Sequence, residues 1–380
     1  MKSYPLFKAH VDASLAAARI VDVFESGYIN EGEQVTQLTS ALSRRLQASN
    51  LVLVNSCTSA LFLALKLAGV GPGDEVISTP MTCVATNAAI AMTGAKIVWA
   101  DVDPRHGMMN GSHICEKVTE RTKAVVAVAW AGCPPNMFVL KTTCKALNLK
   151  LILDAAHAFG AEYAGLPIHE SADFTCYSFQ AIKHFTTGDG GAIVCSSAAD
   201  FKRAKALKWF GLDRDVAKDS QGNWKGQQWD VDINELGYKL NMNNLAAAVG
   251  LSQIPHIDSI LQTHCYNAHV YDELFAECQQ VVPNVRPEMA KSSHWVYAMS
   301  VNLQKSKLTR DELLVALNAE GIMAGVVHVP NDTYACFTDI SAQLQGVRVF
   351  AEKQFNLPCG WWLEDADISH IASRVKELTK

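Results

Sequence analysis

The feature that most constrains the fold is an alternation of short apolar runs with longer helical stretches. The apolar runs are Leu51–Val54, Glu75–Ser78, Lys96–Ala100, Lys123–Ala129 and Leu149–Asp154, and the helical stretches between them include Ala60–Ala68, Val84–Met92 and Met137–Leu147. Repeated strand–helix–strand units favour a mostly parallel sheet with helices on both faces. Two further runs, Phe174–Phe179 and Ala192–Ser196, flank a glycine turn. The pattern predicts a three-layer α/β fold.

The remainder of the chain has a different pattern. It turns helical from Ala198, and Met242–Leu261 is typical of one long helix. Beyond Pro287, the strand-like segments Trp295–Leu303 and Ala324–His328 flank an amphipathic stretch, Arg310–Glu320. We therefore predict a large sheet domain over residues 1–250 and a smaller α+β domain over residues 251–380.

Composition and simple motifs exclude several classes of protein. The charged residues number 33 basic and 38 acidic, a net charge of −5, and they form no basic stripe of the kind that binds nucleic acid. No apolar run approaches the roughly 18–20 residues of a membrane span, and Met1–Pro5 begins no apolar signal core. The 11 cysteines are scattered without a C-x-x-C pair. These features predict a cytoplasmic protein with reduced thiols, no metal and a small-molecule substrate.

Two strand ends carry polar residues of chemical interest. At Val54–Leu61 a strand gives way to a helix through Ser56, Thr58 and Ser59, and hydroxyls with free backbone N–H groups can hold an anion. An ordinary helix cap explains the same residues. Asp154 ends an apolar strand, which places it at the carboxyl edge of a parallel sheet, where ligands bind. A helix cap is the alternative there also.

A third segment contains a lysine in apolar surroundings. Lys183 follows Tyr177–Phe179 and precedes the glycine turn Gly188–Gly191. Burial would lower the pKa of the Lys183 amine and make it nucleophilic, although most lysines are solvated surface groups. Pyridoxal 5′-phosphate (PLP) combines a phosphate, a ring nitrogen that needs an acidic partner and an aldehyde that forms a Schiff base with lysine. The order of the three segments therefore favours a PLP site.

The chain resembles the DegT/StrS-type sugar aminotransferases, a branch of the fold type I, aspartate aminotransferase-like PLP enzymes. The resemblance is carried by Gly71–Val76, by Asp154–Ala161, by Ser178-Phe179 followed by Lys183 and Gly190-Gly191, and by Leu236–Met242. It implies a PLP-binding large domain and a homodimer with shared active sites.

The resemblance also implies roles for individual residues. Lys183 matches the Schiff-base lysine, Asp154 the partner of the pyridinium nitrogen and His157 the residue that faces the ring or its phenolic oxygen. Thr58, Ser59 and Ser178 match phosphate contacts, and Lys239 and Asn241 match residues that reach the neighbouring subunit's site. The chain departs from the family at Cys83, where an aromatic side chain usually stacks on the cofactor, and at Leu153, where a carboxylate is usual.

The activity that the resemblance implies is transfer of an amino group from an amino acid, L-glutamate in most members, to a keto sugar. The sugar is most often nucleotide-linked, and the products enter cell-surface polysaccharide or lipopolysaccharide synthesis. Tyr28, Arg214 and His328 are the candidate substrate contacts, and the turn Trp130–Gly132 also belongs near the site.

Three alternatives remain open from the sequence. The acceptor could be a sugar acid without a nucleotide, such as a keto-octulosonate, because the substrate segments differ from those of common nucleotide-sugar members. In the dehydratase branch a histidine replaces the lysine, but Lys183 is present, and His184 on an extended segment would point the other way. A PLP-binding regulator without turnover is the third alternative.

Overall fold

The computed structural model describes residues 2–212, 232–337 and 343–380. Its strands are β1 (Leu51–Val54), β2 (Glu75–Ser78), β3 (Lys96–Trp99), β4 (Thr122–Val128), β5 (Lys150–Asp154), β6 (Glu162–Tyr163), β7 (Leu166–Pro167), β8 (Phe174–Ser178), β9 (Gly191–Cys195), β10 (Val281–Pro283), β11 (Ala290–Lys291), β12 (Tyr297–Val301) and β13 (Gln354–Leu357). Its α-helices are α1 (Ala13–Ser26), α2 (Glu33–Leu46), α3 (Cys57–Leu67), α4 (Val84–Met92), α5 (Gly111–Lys117), α6 (Met137–Ala146), α7 (Ala198–Leu207), α8 (Asn244–Gln253), α9 (Ile257–Phe275), α10 (Arg310–Ala319), α11 (Gln345–Lys353) and α12 (Asp365–Thr379).

A central sheet of seven strands confirms the predicted α/β fold. The strand order is β1-β9-β8-β5-β4-β2-β3, and the pairs from β8 through β5, β4 and β2 to β3 are parallel. Only β9 runs in the opposite direction, antiparallel to both β1 and β8. Side chains alternate between the sheet faces: Val125 and Ala127 pack with α2, α6 and α8, whereas Ala124 and Val126 pack with α3, α4 and α7. Three layers result, as predicted.

The residues after position 256 build a smaller unit with its own core. An antiparallel sheet, β10-β12-β13, is covered by α9, α10 and α12. Tyr4, near the start of the chain, is buried in the same cluster. This unit combines helices with an antiparallel sheet, which is the predicted α+β class. The domain boundary at residue 250 remains a prediction.

Two predicted elements were wrong in detail. The stretch Met242–Leu261 is not one helix: α8 begins after the cap Asn243, and Pro255 breaks the helix into a 3₁₀ turn, Ile254–His256, before α9 continues. Proline has no N–H to donate and its ring clashes with the preceding turn, so the break follows from the sequence. The predicted strand Ala324–His328 makes a single bridge, from Gly325 to Asn356. Beyond that bridge the segment does not continue as a strand, and Nε2 of His328 lies 3.3 Å from Nε2 of His157, which follows β5.

None of the helices in the described ranges is long and apolar enough to cross a membrane. All eleven cysteines lie in the described ranges and are free thiols.

Candidate active site

Strand ends from three neighbouring strands meet where α3 begins. Gly191, the first residue of β9, lies opposite Val54 on β1 and opposite Ser178 on β8. A Cβ atom on Gly191 would lie 2.6 Å from the backbone nitrogen of Cys57. Only glycine lets the sheet approach the start of α3 this closely, so the glycine turn found in the sequence serves this contact.

The N-terminus of α3 is a preformed anion site. Ser56 caps the helix, its Oγ accepting the backbone N–H of Ser59 at 3.1 Å. The N–H groups of Cys57 and Thr58 donate to no acceptor among the described residues. Unpaired N–H groups and the positive end of the helix dipole favour a phosphate at this position. The predicted phosphate contacts Thr58 and Ser59 therefore lie together, with Ser178 on the adjoining strand.

Asp154 is a buried carboxylate at the end of β5. Its side chain accepts the Thr86 hydroxyl at 2.6 Å and the Ala156 N–H at 3.0 Å. No ion pair joins it to any described residue. Burial raises the pKa of Asp154, and the Thr86 and Ala156 hydrogen bonds and the Lys183 charge oppose that rise. A buried carboxylate with spare acceptor capacity and no cationic partner is suited to a protonated ring nitrogen.

Lys183 lies in a turn, where its backbone N–H donates to Gln180 at 3.0 Å. The predicted extended segment is therefore wrong, but the neighbouring His184 does point away, donating from Nε2 to the Ser293 carbonyl at 2.9 Å. Burial lowers the pKa of the Lys183 amine to about 8, while the charge of Asp154 opposes this effect. Nζ makes no hydrogen bond or ion pair with a described residue. The amine is therefore available to a carbonyl group.

Aromatic rings form a wall beside Lys183. The Lys183 Nζ lies 3.6 Å from the ring centroid of Trp295. His157 stacks on Trp295 with centroids 4.0 Å apart, and its Nε2 lies 3.3 Å from Nε2 of His328. The rings of Trp130 and His328 are steeply inclined to each other, with centroids 5.7 Å apart. Burial is the main cause that lowers the pKa of His157, and it lowers that of His328 to about 3, so both rings are neutral.

Cys83 is the residue that precedes α4, at the end of the segment that follows β2. Its thiol interacts electrostatically with Asp154 and Lys183, and burial raises its pKa. The neighbouring Thr82 hydroxyl lies 2.8 Å from the Thr86 hydroxyl, which in turn donates to Asp154. The residue that replaces the family's usual aromatic therefore lies beside the predicted catalytic pair.

Asn331 joins the segment 328–334 to this edge of the sheet. It accepts the Asn87 side-chain amide at 2.8 Å and donates to the Thr82 carbonyl at 2.9 Å. Its backbone N–H donates to the Pro80 carbonyl at 2.8 Å. Asn331 and Asn87 are 1% and 0% exposed, so these groups have no water to replace a lost partner.

Other predicted site residues are placed less centrally. Asn241 pairs its backbone with Val54, beside the α3 N-terminus, and accepts a 2.7 Å hydrogen bond from Lys239 Nζ. Tyr28 is 59% exposed, and no described contact joins it to Lys183 or Asp154. Arg214 lies outside the described residues.

The described residues fit PLP. An anion site, a buried unpaired carboxylate and an unbonded amine of lowered pKa are the three groups that the cofactor requires. No group of histidine, cysteine, aspartate or glutamate residues in the described ranges could hold a metal ion.

Trp295, Thr86 and the role of Asn331 escaped the sequence reasoning. Thr82 and Thr86 lie four residues apart at the start of a helix, a spacing that could have pointed to a shared face. Trp295 offered no such signal, because its indole bonds to Ile182, far away in the sequence.

Comparisons with known proteins agree with this geometry. The UDP-4-amino-4-deoxy-L-arabinose–oxoglutarate aminotransferase of Shewanella sediminis is 30% identical over 98% of this chain and 97% of its own length. The crystal structure of AtS13 from Actinomadura melliaura superposes with a TM-score of 0.91 at 33% identity, covering 99% of each chain. The sugar aminotransferase CalS13 from Micromonospora echinospora has a TM-score of 0.90 at 31% identity, covering 98% of this chain and 99% of its own.

Spr1654 from Streptococcus pneumoniae, 27% identical with a TM-score of 0.87 over 99% of this chain and 98% of its own, has been solved in a PLP form and in the aminated PMP form. The model of the DegT/DnrJ/EryC1/StrS aminotransferase family matches residues 12–376. The chain therefore belongs to the DegT/DnrJ/EryC1/StrS aminotransferase family of PLP-dependent enzymes.

Proposed function

We propose that this aminotransferase moves an amino group from L-glutamate to a keto sugar linked to a nucleotide. The observation that supports it best is the pairing of an unbonded Lys183 amine, whose pKa is lowered to about 8, with a buried Asp154. The relative from Shewanella sediminis supports the substrate class, since its name specifies a UDP-linked amino sugar and oxoglutarate. Oxoglutarate is the product that glutamate leaves after losing its amine.

The proposed roles follow from the chemistry of each group. PLP, when bound, supplies an aldehyde that takes up the amine and a ring that withdraws electrons from the reacting carbon. Asp154 keeps the ring nitrogen protonated, because a buried anion stabilises the adjacent positive charge. The N-terminus of α3, with Thr58, Ser59 and Ser178, binds the phosphate. Lys183 would hold the cofactor through its amine and, once released from it, would take up at Nζ the proton that leaves the α carbon of the amino donor.

The remaining roles complete the site. Cys83 and His157 face the cofactor, and His328 contacts the sugar, with Tyr28 and Arg214 as further substrate contacts. We propose a homodimer in the cytoplasm, in which Lys239 and Asn241 serve the neighbouring subunit's site. Sedimentation equilibrium tests the dimer, and a fully active monomer would contradict it.

The test of the function combines absorption spectra with product analysis. Purified protein with PLP should show the visible band of the lysine-bound cofactor, and glutamate should bleach it. Lys183→Ala should lose both the band and turnover because it removes the amine. Lys123→Ala, at an exposed lysine on the opposite edge of the sheet, should retain both.

The acceptor is identified by offering UDP- and TDP-linked 4-keto sugars beside a keto-octulosonate. Amination of the nucleotide sugars supports the proposal. Amination of the octulosonate alone would show that the acceptor is a sugar acid without a nucleotide. Loss of a hydroxyl without amine transfer would indicate a dehydratase. Bound PLP without bleaching by any amino acid would indicate a regulator.

A further inference from the structure

The indole of Trp295 is held in place from several sides. Its Nε1 donates to the Ile182 carbonyl at 2.8 Å. Phe7 stacks on it with centroids 4.6 Å apart, and His157 stacks on it at 4.0 Å. Trp295 is only 3% exposed. A ring with so many fixed neighbours has one available orientation, so its position is part of the architecture of the site.

The Lys183 ammonium group uses this ring as its partner. Nζ lies 3.6 Å from the Trp295 ring centroid, well inside the roughly 6 Å limit for a cation–π contact. It has no hydrogen-bond acceptor or ion-pair partner among the described residues. The hydrogen bond to Ile182 fixes the backbone immediately before the lysine. Trp295 therefore contacts both the main chain at Ile182 and the ammonium group of Lys183.

Few other groups near Lys183 can stabilise a positive charge. The titratable side chains that interact electrostatically with it are Asp154, Cys57, Cys83, His157, His184 and His328, and Lys8 and His264 line the same small cavity as the lysine. Burial raises the pKa of both thiols and lowers that of the three histidines that interact with the lysine. Asp154 is thus the single anion in this set. In the proposed function its charge stabilises the protonated ring nitrogen of the cofactor.

We infer that Trp295 is a positioning residue that receives the Lys183 ammonium group whenever the lysine is not joined to the cofactor. The ring face stabilises the protonated amine, and the hydrogen bond to Ile182 keeps that amine beside the reacting atoms. The inference rests on the proposed role of Lys183 and adds to it a second partner for the amine. With Asp154 engaged by the ring nitrogen, no other anion among these side chains competes for the proton, so the lysine can release it again.

The test measures the Lys183 amine in cofactor-free protein, where turnover plays no part. Competitive acetylation with acetic anhydride between about pH 6 and pH 11, read by peptide mass spectrometry, gives the pKa of this amine. In the wild type the reactivity should rise with pH through about 8, because only the neutral amine is acetylated. Trp295→Leu keeps an apolar side chain but removes the π face.

We expect the pKa of Lys183 in Trp295→Leu to be lower than in the wild type by about 0.4 to 1.5, the range from an exposed to a desolvated cation–π contact converted at 1.36 kcal/mol per pKa unit. Trp295→Phe keeps a ring face, although it loses the Nε1 donor, and should change the pKa by less than half as much. Trp99→Phe is the matched control, since Trp99 is a buried indole whose Nε1 has no hydrogen-bond partner in the described part of the chain and which packs on Phe337.

An unchanged or higher pKa in folded Trp295→Leu would overturn the inference, as would an equal change in Trp99→Phe. If Trp295→Leu does not fold, Trp295→Met takes its place, and a Lys183 pKa in folded Trp295→Met equal to that of the wild type would overturn the inference. These outcomes are separate from a failure of the proposed function. That failure appears as a visible PLP band that persists in Lys183→Ala.

Discussion

The carboxyl edge of the central sheet and the C-terminal wall of the site, residues 292–297 and 328–334, are built in different ways. At the edge, several bonds that orient polar groups are short in sequence, such as Ser56 with Ser59 and Asp154 with Ala156, although Asp154 also accepts a hydrogen bond from Thr86, 68 residues away. In the wall, Trp295 bonds to Ile182 across 113 residues and His328 meets His157 across 171.

The difference separates chemistry from placement. The edge carries the amine, the carboxylate and the anion site, so a change there should remove a step of the reaction. The wall supplies neutral rings and amides that surround those groups, so a change there should alter binding or a pKa while the chemistry persists. Variants in each region can break or sharpen this distinction.

The largest effect is expected from Asp154→Asn. An amide of the same shape keeps the contact with Thr86 but carries no charge to hold a proton on the ring nitrogen. Turnover with saturating substrates should fall by about 10²- to 10³-fold, as for loss of one preorganised electrostatic partner. Steady-state kinetics measures this, with the visible band confirming that cofactor is bound.

Asp173→Asn is the control for charge removal. Asp173 precedes β8 at the opposite edge of the sheet and pairs with Lys150 at 3.2 Å, partly exposed to solvent. Its loss should leave turnover within about twofold, because such pairs contribute little. Equal losses of turnover in Asp154→Asn and Asp173→Asn would mean that these carboxylates affect turnover only through the stability of the fold.

A smaller effect is expected from Gly191→Ala, which tests the anion site. The added Cβ would lie 2.6 Å from Cys57 N and 2.8 Å from Ser56 O, so backbone must move at the start of α3. We expect the Kd for PLP to rise at least about tenfold, equivalent to about 1.4 kcal/mol, with a smaller change in turnover at saturating PLP. Equilibrium titration of apo-protein measures it.

Gly71→Ala is the matched control, since a Cβ there meets no atom within 4 Å and its backbone does not require glycine. Its affinity for PLP should equal that of the wild type. Normal PLP affinity in Gly191→Ala would show that the close approach of β9 to α3 serves the fold alone.

The smallest effect on chemistry is expected from Asn331→Ala in the wall. The change leaves the Thr82 carbonyl and one N–H of the Asn87 amide without a buried partner, while Asn87 still donates to the Thr79 carbonyl at 3.1 Å, and it loosens the segment that carries His328. We expect KM for the sugar to rise about tenfold while kcat stays within about threefold, because ground-state binding is lost and the edge remains intact. Initial-rate kinetics with varied acceptor separates the two constants.

Thr333→Ala, on the same segment, removes an exposed residue's hydroxyl, whose one hydrogen bond to a described residue is to the Pro330 carbonyl, and should change neither constant. A fall in kcat as large as that of Asp154→Asn would contradict the distinction, since it would assign part of the chemistry to the wall.

Local pattern predicted most of the sheet and its edge correctly. The bounds of β1, β2 and α4 agree with the predicted runs residue for residue, and β3, β4, β5 and β8 differ by a residue or less at each end. Buried parallel strands are continuous apolar runs, so a short window suffices to find them. The same logic placed Asp154 at the carboxyl edge of the sheet, since strand direction decides where a strand ends, whereas Ser178 was assigned to the phosphate only by the family resemblance.

The wall was beyond such reasoning. The segment Ala324–His328 has the composition of a strand, yet it makes one bridge and then turns toward the sheet edge. What overrides its local preference is the packing of His328 on Trp130 and His157 and the burial of Asn331 beside Asn87. These partners come from elements far apart in the chain.

The amino-acid sequence by itself determined the three-layer α/β fold, the family and the identity of the lysine, the carboxylate and the anion site, because each depends on a run of neighbouring residues. Only the tertiary structure decided that Trp295 faces the Lys183 amine, that Thr86 bonds to Asp154 and that Asn331 attaches the His328 segment to the sheet. The physical reason is that these contacts join residues with no fixed spacing, and packing alone selects them.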